Sequence, residues 1–223
     1  YFIGKNKVIV ISGKGSRSGF SVLMIDNVAT YDTLEKAQCL PLYLYSKCEK
    51  EDSAINGDVV NLNRVDGLND SILESFQNVY SDENISKEDI FHYVYGLLHS
   101  KDYKDKYNDN LIKELPRIPY VKKTEDFYAF VKAGRELADL HLNYEEVVPY
   151  KATIDSGSIS FSQLAKEDFY VEKMKFAKRG EKDTVIYNGK IRIKNIPVEA
   201  YDYVVNGKPA LEWVMERQGV STH

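Results

Sequence analysis

The sequence predicts an α+β fold: β structure from the N-terminal and C-terminal parts, a central helical segment, and two C-terminal helices. Three observations predict it. Runs rich in Val, Ile and Phe stand near both ends, at 7–12, 20–26 and 183–195. Between them, over 70–144, apolar residues recur at helical spacing. Asn188-Gly189, between two short apolar runs, is a hairpin signal on the C-terminal side. The chain has 223 residues, 43% of them hydrophobic, enough for one sizeable domain or two small lobes. We read it as one domain, β-rich at 1–45 and 145–195, helical at 70–144, with a helical hairpin at 196–219.

In order, "KVIVIS" (7–12) and "FSVLMID" (20–26) read as strands joined by a glycine loop. "LPLYLY" (40–45) reads as a third strand, with Pro41 at its start or on an edge. Residues 46–69 are polar and acidic, with Asn56-Gly57 and Asp66-Gly67 as turn signals, and are expected to be mobile. "NDSILESFQNVYS" places Ile72, Leu73, Phe76 and Val79 on one helical face. In "SKEDIFHYVYGLLHS", Ser86 is placed to cap a helix, with Asp89 three residues on. "NDNLIKELP" predicts a short helix closed by Pro116. "TEDFYAFVKAGRELADLHLNYE" predicts a longer one, capped by Thr124 and carrying a stripe that includes Phe127, Val131 and Leu137. Strands return at 170–177, 183–188 and 190–195. Two helices then follow, the first ended by Asn206-Gly207 and the second begun by Pro209.

No uninterrupted apolar run reaches the ~18 residues that a membrane span needs. The start, "YFIGKNKVIV", lacks a signal-peptide plan and does not begin with Met, which suggests a piece of a longer, cytoplasmic polypeptide. Cys39 and Cys48 are too few for a disulfide scaffold and read as two reduced thiols. Net charge is −4, but it is unevenly spread. Residues 1–20 carry Lys5, Lys7, Lys14 and Arg17 and no acid. Residues 46–89 carry 11 acids against 4 bases, and 151–194 carry 10 bases against 6 acids. A polynucleotide partner requires a basic face, not a basic average.

The loop "SGKGSRSGF" (12–20) tests for a nucleotide cofactor. A dinucleotide fingerprint needs G-x-G-x-x-G between a strand and a helix. Here Gly13, Gly15 and Gly19 are spaced one residue too long, and the loop leads into another strand. No helix N-terminus is available to face a pyrophosphate, and no Gly-Lys-Ser/Thr closes a phosphate loop. A strand–loop–strand tip with Lys14, Ser16, Arg17 and Ser18 suits the phosphate oxygens or base edges of a polynucleotide. His92 and His99 lie seven apart on one predicted helix and His141 on the next; without HExxH-type spacing they read as structural, and no metal is expected. The 17 Tyr and 9 Phe fall mostly at helical spacing and read as core. No nucleophile–base pair or metal constellation supports an enzyme in this chain.

Longer phrases carry a resemblance. "EDIFHYVYGLLHSKDYKDKYNDNLIKELPRIP", "FYAFVKAGRELADLHLNYE" and "IPVEAYDYVVNGKPALEWVMERQ" resemble the C-terminal region of bacterial type ISP single-polypeptide restriction–modification enzymes. "ISGKGSRSGFSVLMIDNV" and "KAQCLPLYLY" resemble the preceding part of that region, so the likeness runs along nearly the whole chain in the same order. It implies a mixed α+β target-recognition domain that reads double-stranded DNA and performs no catalysis. In such enzymes a nuclease, an ATP-driven helicase-like translocase and an adenine-N6 methyltransferase precede it. ATP, Mg and S-adenosylmethionine would then belong to the parent polypeptide, with no cofactor in this chain. The resemblance assigns no base-contacting residue. From the residues themselves, the expected DNA contacts are Lys14, Ser16, Arg17 and Ser18, with Lys175, Lys178, Arg179 and Lys182 from the second basic segment. The rival reading is a docking domain, whose helices at 86–144 pack on the upstream methyltransferase and helicase domains without touching DNA.

Overall fold

The apolar run Val8–Ile11 forms strand β1, and all four of its residues are buried in the computed structural model, which describes residues 6–47 and 62–219. A strand covered on both faces shows a continuous apolar run instead of alternation. β1 is central in a three-stranded antiparallel sheet, between β2 (Val22–Ile25) and β3 (Gln38–Pro41). The single strand expected over 40–45 is two. The chain leaves the sheet at the buried Leu42, and β4 (Tyr43–Lys47) pairs instead with β5 (Leu62–Asp66) as a separate ribbon. Leu42 secures that switch by donating its N–H to Lys7 O at 2.8 Å and accepting from Gly67 N at 2.7 Å. Pro41, which has no N–H to give, ends an edge strand. Of the acidic segment expected to be mobile, residues 48–61 lie outside the described residues.

Four helices follow. Helix α1 is Asp70–Tyr80, α2 Lys87–His99, α3 Lys101–Leu111 and α4 Thr124–Leu142. Ser86 caps α2 as expected: its hydroxyl accepts from Asp89 N at 3.1 Å, and the Asp89 carboxylate accepts from Ser86 N at 2.9 Å. α3 starts earlier than "NDNLIKELP" suggests. Ser100 caps it, and Tyr103, Tyr107 and Leu111 form its inward row at i, i+4 and i+8, a pattern diluted by the charges of "KDYKDKYND". Thr124 is the first helical residue of α4 and not its cap, because Lys123 occupies the cap position.

α2 is buried around most of its circumference, so it forms the axis of this part of the chain. It crosses α4 at two glycines. A Cβ on Gly134 would sit 2.0 Å from His92 O, and one on Gly96 would sit 2.5 Å from Phe130 O. The backbones therefore touch. Phe76, Tyr80, Tyr93 and Phe127 stack around the crossing, with ring centroids 4.9–6.2 Å apart. The tyrosines also have a polar task. The segment 116–121 between α3 and α4 has no regular structure, and its carbonyls need donors. Tyr103, Tyr93 and Tyr80 donate their hydroxyls to Arg117 O, Pro119 O and Val121 O at 2.8, 2.6 and 3.1 Å. Every second carbonyl of the linker thus hangs from a core tyrosine.

The chain divides into two compact units, Tyr1–Val147 and Val148–His223. In the second, β6 (Thr153–Asp155), β7 (Lys175–Lys178), β8 (Glu181–Ile186) and β9 (Arg192–Lys194) form an antiparallel sheet of order β6-β9-β8-β7. Its small core is Val171, Met174, Val185 and Met215. The β segments of 1–45 and 145–195, expected to lie together, do not share a sheet; each builds its own in its own unit. Sequence-near partners occupy both edges of β1, and short loops close at the lowest entropic cost.

The C-terminal helical hairpin is also corrected. Val198–Tyr201 is a single 3-10 turn. Asn206 and Gly207, at φ 49° and 74°, join β10 (Val204–Val205) to β11 (Lys208–Pro209). Positive φ at both positions is the chemistry of a two-residue hairpin, so Asn-Gly reverses a strand here and does not stop a helix. Only α5 (Ala210–Arg217) is an α-helix, anchored by Trp213 Nε1 donating to Val205 O at 2.7 Å. Asn188-Gly189 does lie between β8 and β9, with Asn188 Oδ1 accepting from Lys190 N and Ile191 N. No helix among the described residues is long and apolar enough to cross a membrane.

The touching backbones give the first prediction. Gly134→Ala drives a methyl into the His92 carbonyl and should cost about 3 kcal/mol, as overpacking of a close-packed core does. Urea unfolding measures it, and an unchanged midpoint would refute the crossing.

Candidate nucleic-acid interface

The loop 12–19 joins β1 to β2, strand to strand, as the cofactor argument required. It is held as a rigid tip. Ser12 pairs with Ser21 across its base, with Ser12 N donating to Ser21 O at 3.0 Å and Ser21 N to Ser12 Oγ at 2.9 Å. The principal restraint comes from Glu35, eighteen residues along. Its Oε2 accepts from Arg17 N at 2.8 Å and Ser18 N at 3.0 Å, and lies 3.0 Å from Ser16 Oγ. The Ser18 N–H foremost, with the Ser16 hydroxyl and the Arg17 N–H, outweighs desolvation and holds the Glu35 carboxyl down at about 2.

Two further contacts complete the tip. Lys36, itself left-handed at φ 57°, donates its ammonium to Gly15 O at 2.8 Å, and Gly15 N donates to Ile112 O at 2.8 Å. Gly13 has no room for a side chain, since a Cβ there would lie 2.1 Å from Lys36 O.

This geometry sorts the residues expected to contact DNA. Ser16 is 5% exposed, and its hydroxyl is engaged by Glu35 and by Gly19 O. It is a buried pin of the loop, not a group offered to a ligand. Arg17 is the opposite, with its side chain 94% exposed and Nε 3.9 Å from Glu35 Oε1. Lys14 is exposed beside it and Ser18 half-buried.

In the second basic segment, Lys178 and Glu181 pair across β7 and β8, leaving Arg179 and Gly180 as the two-residue tip, with Gly180 at φ 85°. Lys178 keeps a loose ion pair with Glu181 at 3.2 Å on the surface. Lys182 is committed elsewhere. It bonds Glu212 at 2.6 Å and lies 5.0 Å from the Tyr201 ring centroid, so it braces α5 against the sheet. Among the described residues, the side chains of Lys14, Lys175 and Arg179 carry no ion pair. Lys175 lines a groove of about 610 Å³ together with Lys173, Tyr170, Asn188, Glu172 and the ion-paired Lys190. Sequence reasoning found the cations but missed Glu35 and Lys36. Their partners are distant in sequence, and no periodicity or motif marks them.

Of the three described histidines, His92 is buried and His99 and His141 are half-buried. His92 is 1% exposed, with Nδ1 2.7 Å from Glu88 O. His99 and His141 lie with ring centroids 5.5 Å apart, and Tyr95 bonds His141 Nδ1. Desolvation lowers all three, His99 to about 3, aided by Lys104 and His141. No group of His, Cys, Asp and Glu among the described residues is arranged to hold a metal. Cys39 is a free, exposed thiol, and Cys48 lies outside the described residues.

The family model described as the Type ISP C-terminal specificity domain matches residues 2–223. No curated protein matches the chain. Three solved structures are similar. The ATP-dependent Type ISP restriction-modification enzyme LlaBIII bound to DNA matches with a TM-score of 0.79 and 36% identity, over 99% of this chain and 13% of that one. A nuclease-deletion mutant of the Type ISP enzyme LlaGI in complex with a DNA substrate mimic matches with a TM-score of 0.72 and 35% identity, over 99% and 14%. The DrdV–DNA complex matches with a TM-score of 0.79 and 35% identity, over 100% and 21%. The chain thus spans only 13–21% of the length of each of these relatives.

The desolvated histidines set a pH dependence. A group whose folded pKa is depressed below its unfolded value of 6.5 binds protons more readily in the unfolded chain. Stability is therefore full above pH ~6.5 and falls as pH drops, by up to about 1.4 kcal/mol per pH unit for His99 until its own folded pKa is reached. Urea unfolding at pH 7.5 and 5.5 should show the loss, and His99→Phe should shrink it.

Proposed function

This chain belongs to the Type ISP C-terminal specificity domain family, and we propose that it is the DNA sequence-recognition domain of a restriction–modification enzyme, without catalysis of its own. The single observation that carries the reading is the loop 12–19. Its backbone is spent inward on Glu35, Lys36 and Ile112 while its arginine is turned out, 94% exposed. A planar guanidinium on a fixed tip is suited to the O6 and N7 acceptors of guanine in the major groove. Lys14, Ser18, Lys175, Lys178 and Arg179 would meet phosphates, which set register and carry no sequence information. Ser16 and Lys182 act within the protein, as their partners indicate.

The activities implied for the rest of the polypeptide stand on the same reading. Upstream domains would supply the nuclease, the ATP-dependent motor and the adenine-N6 methyltransferase, with Mg and S-adenosylmethionine used there, in the cytoplasm. A docking role can coexist with DNA reading. Leu140 on the last turns of α4 and Tyr144 just beyond are 48% and 68% exposed, an apolar surface of the kind that packs on neighbouring domains.

Methylation-site sequencing of a host with and without the full polypeptide identifies the cognate site. Binding to cognate and scrambled duplexes at several salt concentrations then tests the residues. Arg17→Ala should cost about 1–3 kcal/mol of discrimination. Lys178→Ala should weaken both duplexes alike and flatten the salt slope. Lys182→Ala should change neither at a temperature where the chain stays folded. If Arg17→Ala and Lys178→Ala both bind like wild type, the docking reading replaces this one.

A further inference from the structure

We infer that Glu35 is a positioning residue for DNA sequence discrimination, acting through the backbone of the loop that carries Arg17. The inference rests on Arg17 being a base-contacting residue, and it names the group that sets where that arginine stands.

Several observations converge on Glu35. One carboxylate oxygen takes three donors from consecutive residues, Ser16 Oγ, Arg17 N and Ser18 N, at 3.0, 2.8 and 3.0 Å. Three successive donors on one anion fix the local backbone as a concave nest. The Glu35 carbonyl also accepts from Gly13 N at 3.0 Å, so the residue grips the loop at both ends. The next residue, Lys36, holds Gly15 O. The span 13–18 is therefore gripped by a dipeptide that lies outside it.

The chemistry favours a carboxylate at this position. A neutral acceptor could take the N–H groups, but bonds to an ionised oxygen are roughly twice as strong. Towards the Arg17 side chain Glu35 keeps only a long ion pair, Nε to Oε1 at 3.9 Å, beyond hydrogen-bond distance. Glu35 thus anchors the main chain of Arg17 without tying up its fork. A long arginine on a loose tip loses conformational entropy when it meets a base. On a fixed tip, most of the backbone part of that cost is already met by folding.

The test is a double-mutant cycle in the full polypeptide, with Glu35→Ala, Arg17→Ala and the double variant. Glu35→Gln serves as the conservative replacement. Discrimination is read as the affinity ratio of cognate to scrambled duplex, and thermal melting reports folding. Glu35→Ala should lower the ratio about ten-fold, with melting within a few degrees of wild type. The double variant should be no worse than Arg17→Ala alone, because both changes remove one device. Glu35→Gln, which keeps an acceptor but not the charge, should recover part of the ratio.

The inference fails if the Glu35→Ala loss adds in full to that of Arg17→Ala. It also fails if Glu35→Ala tightens both duplexes equally, which would make Glu35 a simple repulsive charge against phosphate. A silent Glu35→Ala beside an active Arg17→Ala overturns this inference alone. A silent Arg17→Ala overturns the reading of Arg17 and this inference with it. If Glu35→Ala melts far below wild type, Glu35→Gln decides: full discrimination in that variant sinks the inference, and a partial ratio upholds it.

Discussion

The first unit depends on a contact in which no side chain takes part, the crossing of α2 and α4 at Gly96 and Gly134. There the two backbones approach until a Cβ on either glycine would overlap a carbonyl oxygen of the facing helix. Because the helices touch, Tyr93 and Phe127 reach across the seam and stack at 5.0 Å. Because those rings are fixed, the tyrosine hydroxyls fall beneath the linker 116–121 and satisfy its carbonyls. The linker in turn sets the distance between the end of α3 and the start of α4. At that end of α3, Ile112 offers its carbonyl to Gly15. A continuous series of packed groups therefore runs from a glycine crossing in the core to the glycine loop at the surface.

That continuity bears on the exposed tip. A loop of small residues and glycines would by itself be mobile. Here three separate elements restrain it: the Ser12–Ser21 pairing at the end of β1 and β2, the Glu35-Lys36 dipeptide before β3, and the end of α3. The main-chain bonds among them do not depend on the identity of residues 14 and 17, whereas the Ser18 side chain joins its own N–H on Glu35. The design separates holding from presenting. The side chains of Lys14 and Arg17 can change without disturbing the main-chain bonds that hold the tip.

Much of the fold was legible in the sequence. The capping box of Ser86 and Asp89, the strands at 8–11 and 22–25, and the long α4 all follow from patterns spanning fewer than twenty residues. The errors share a cause. Asn206-Gly207 is a turn signal whose two uses, ending a helix or reversing a strand, are decided by what flanks it, and only two residues pair on either side. The start of α3 was hidden because its inward row of Tyr103, Tyr107 and Leu111 is interleaved with charges. The split of "LPLYLY" at Leu42 depends on Lys7 and Gly67, both distant in the chain. At the candidate site the cations were visible as composition, whereas their availability was not. Ser16 and Arg17 are adjacent and alike in the sequence as polar loop residues. One is 5% exposed and the other has a side chain 94% exposed, and Glu35 makes the difference.

The two basic tips are built on different principles. In the first unit, Arg17 stands on a wide loop whose shape is imposed from outside by a carboxylate and an ammonium. In the second, Arg179 stands on a two-residue turn whose shape is imposed from within by Gly180 at φ 85°. A turn of the second kind is short and needs no support from elsewhere, so its arginine is placed by the register of β7 and β8, and a slip of that register would move it. The first kind tolerates variation in the strands but fails if its clamp is lost. On the proposed reading, the wide clamped loop suits a residue that must meet one base edge within a few tenths of an ångström, since several restraints fix it at once. The short turn suits a contact to phosphate, where a point charge near the backbone is sufficient.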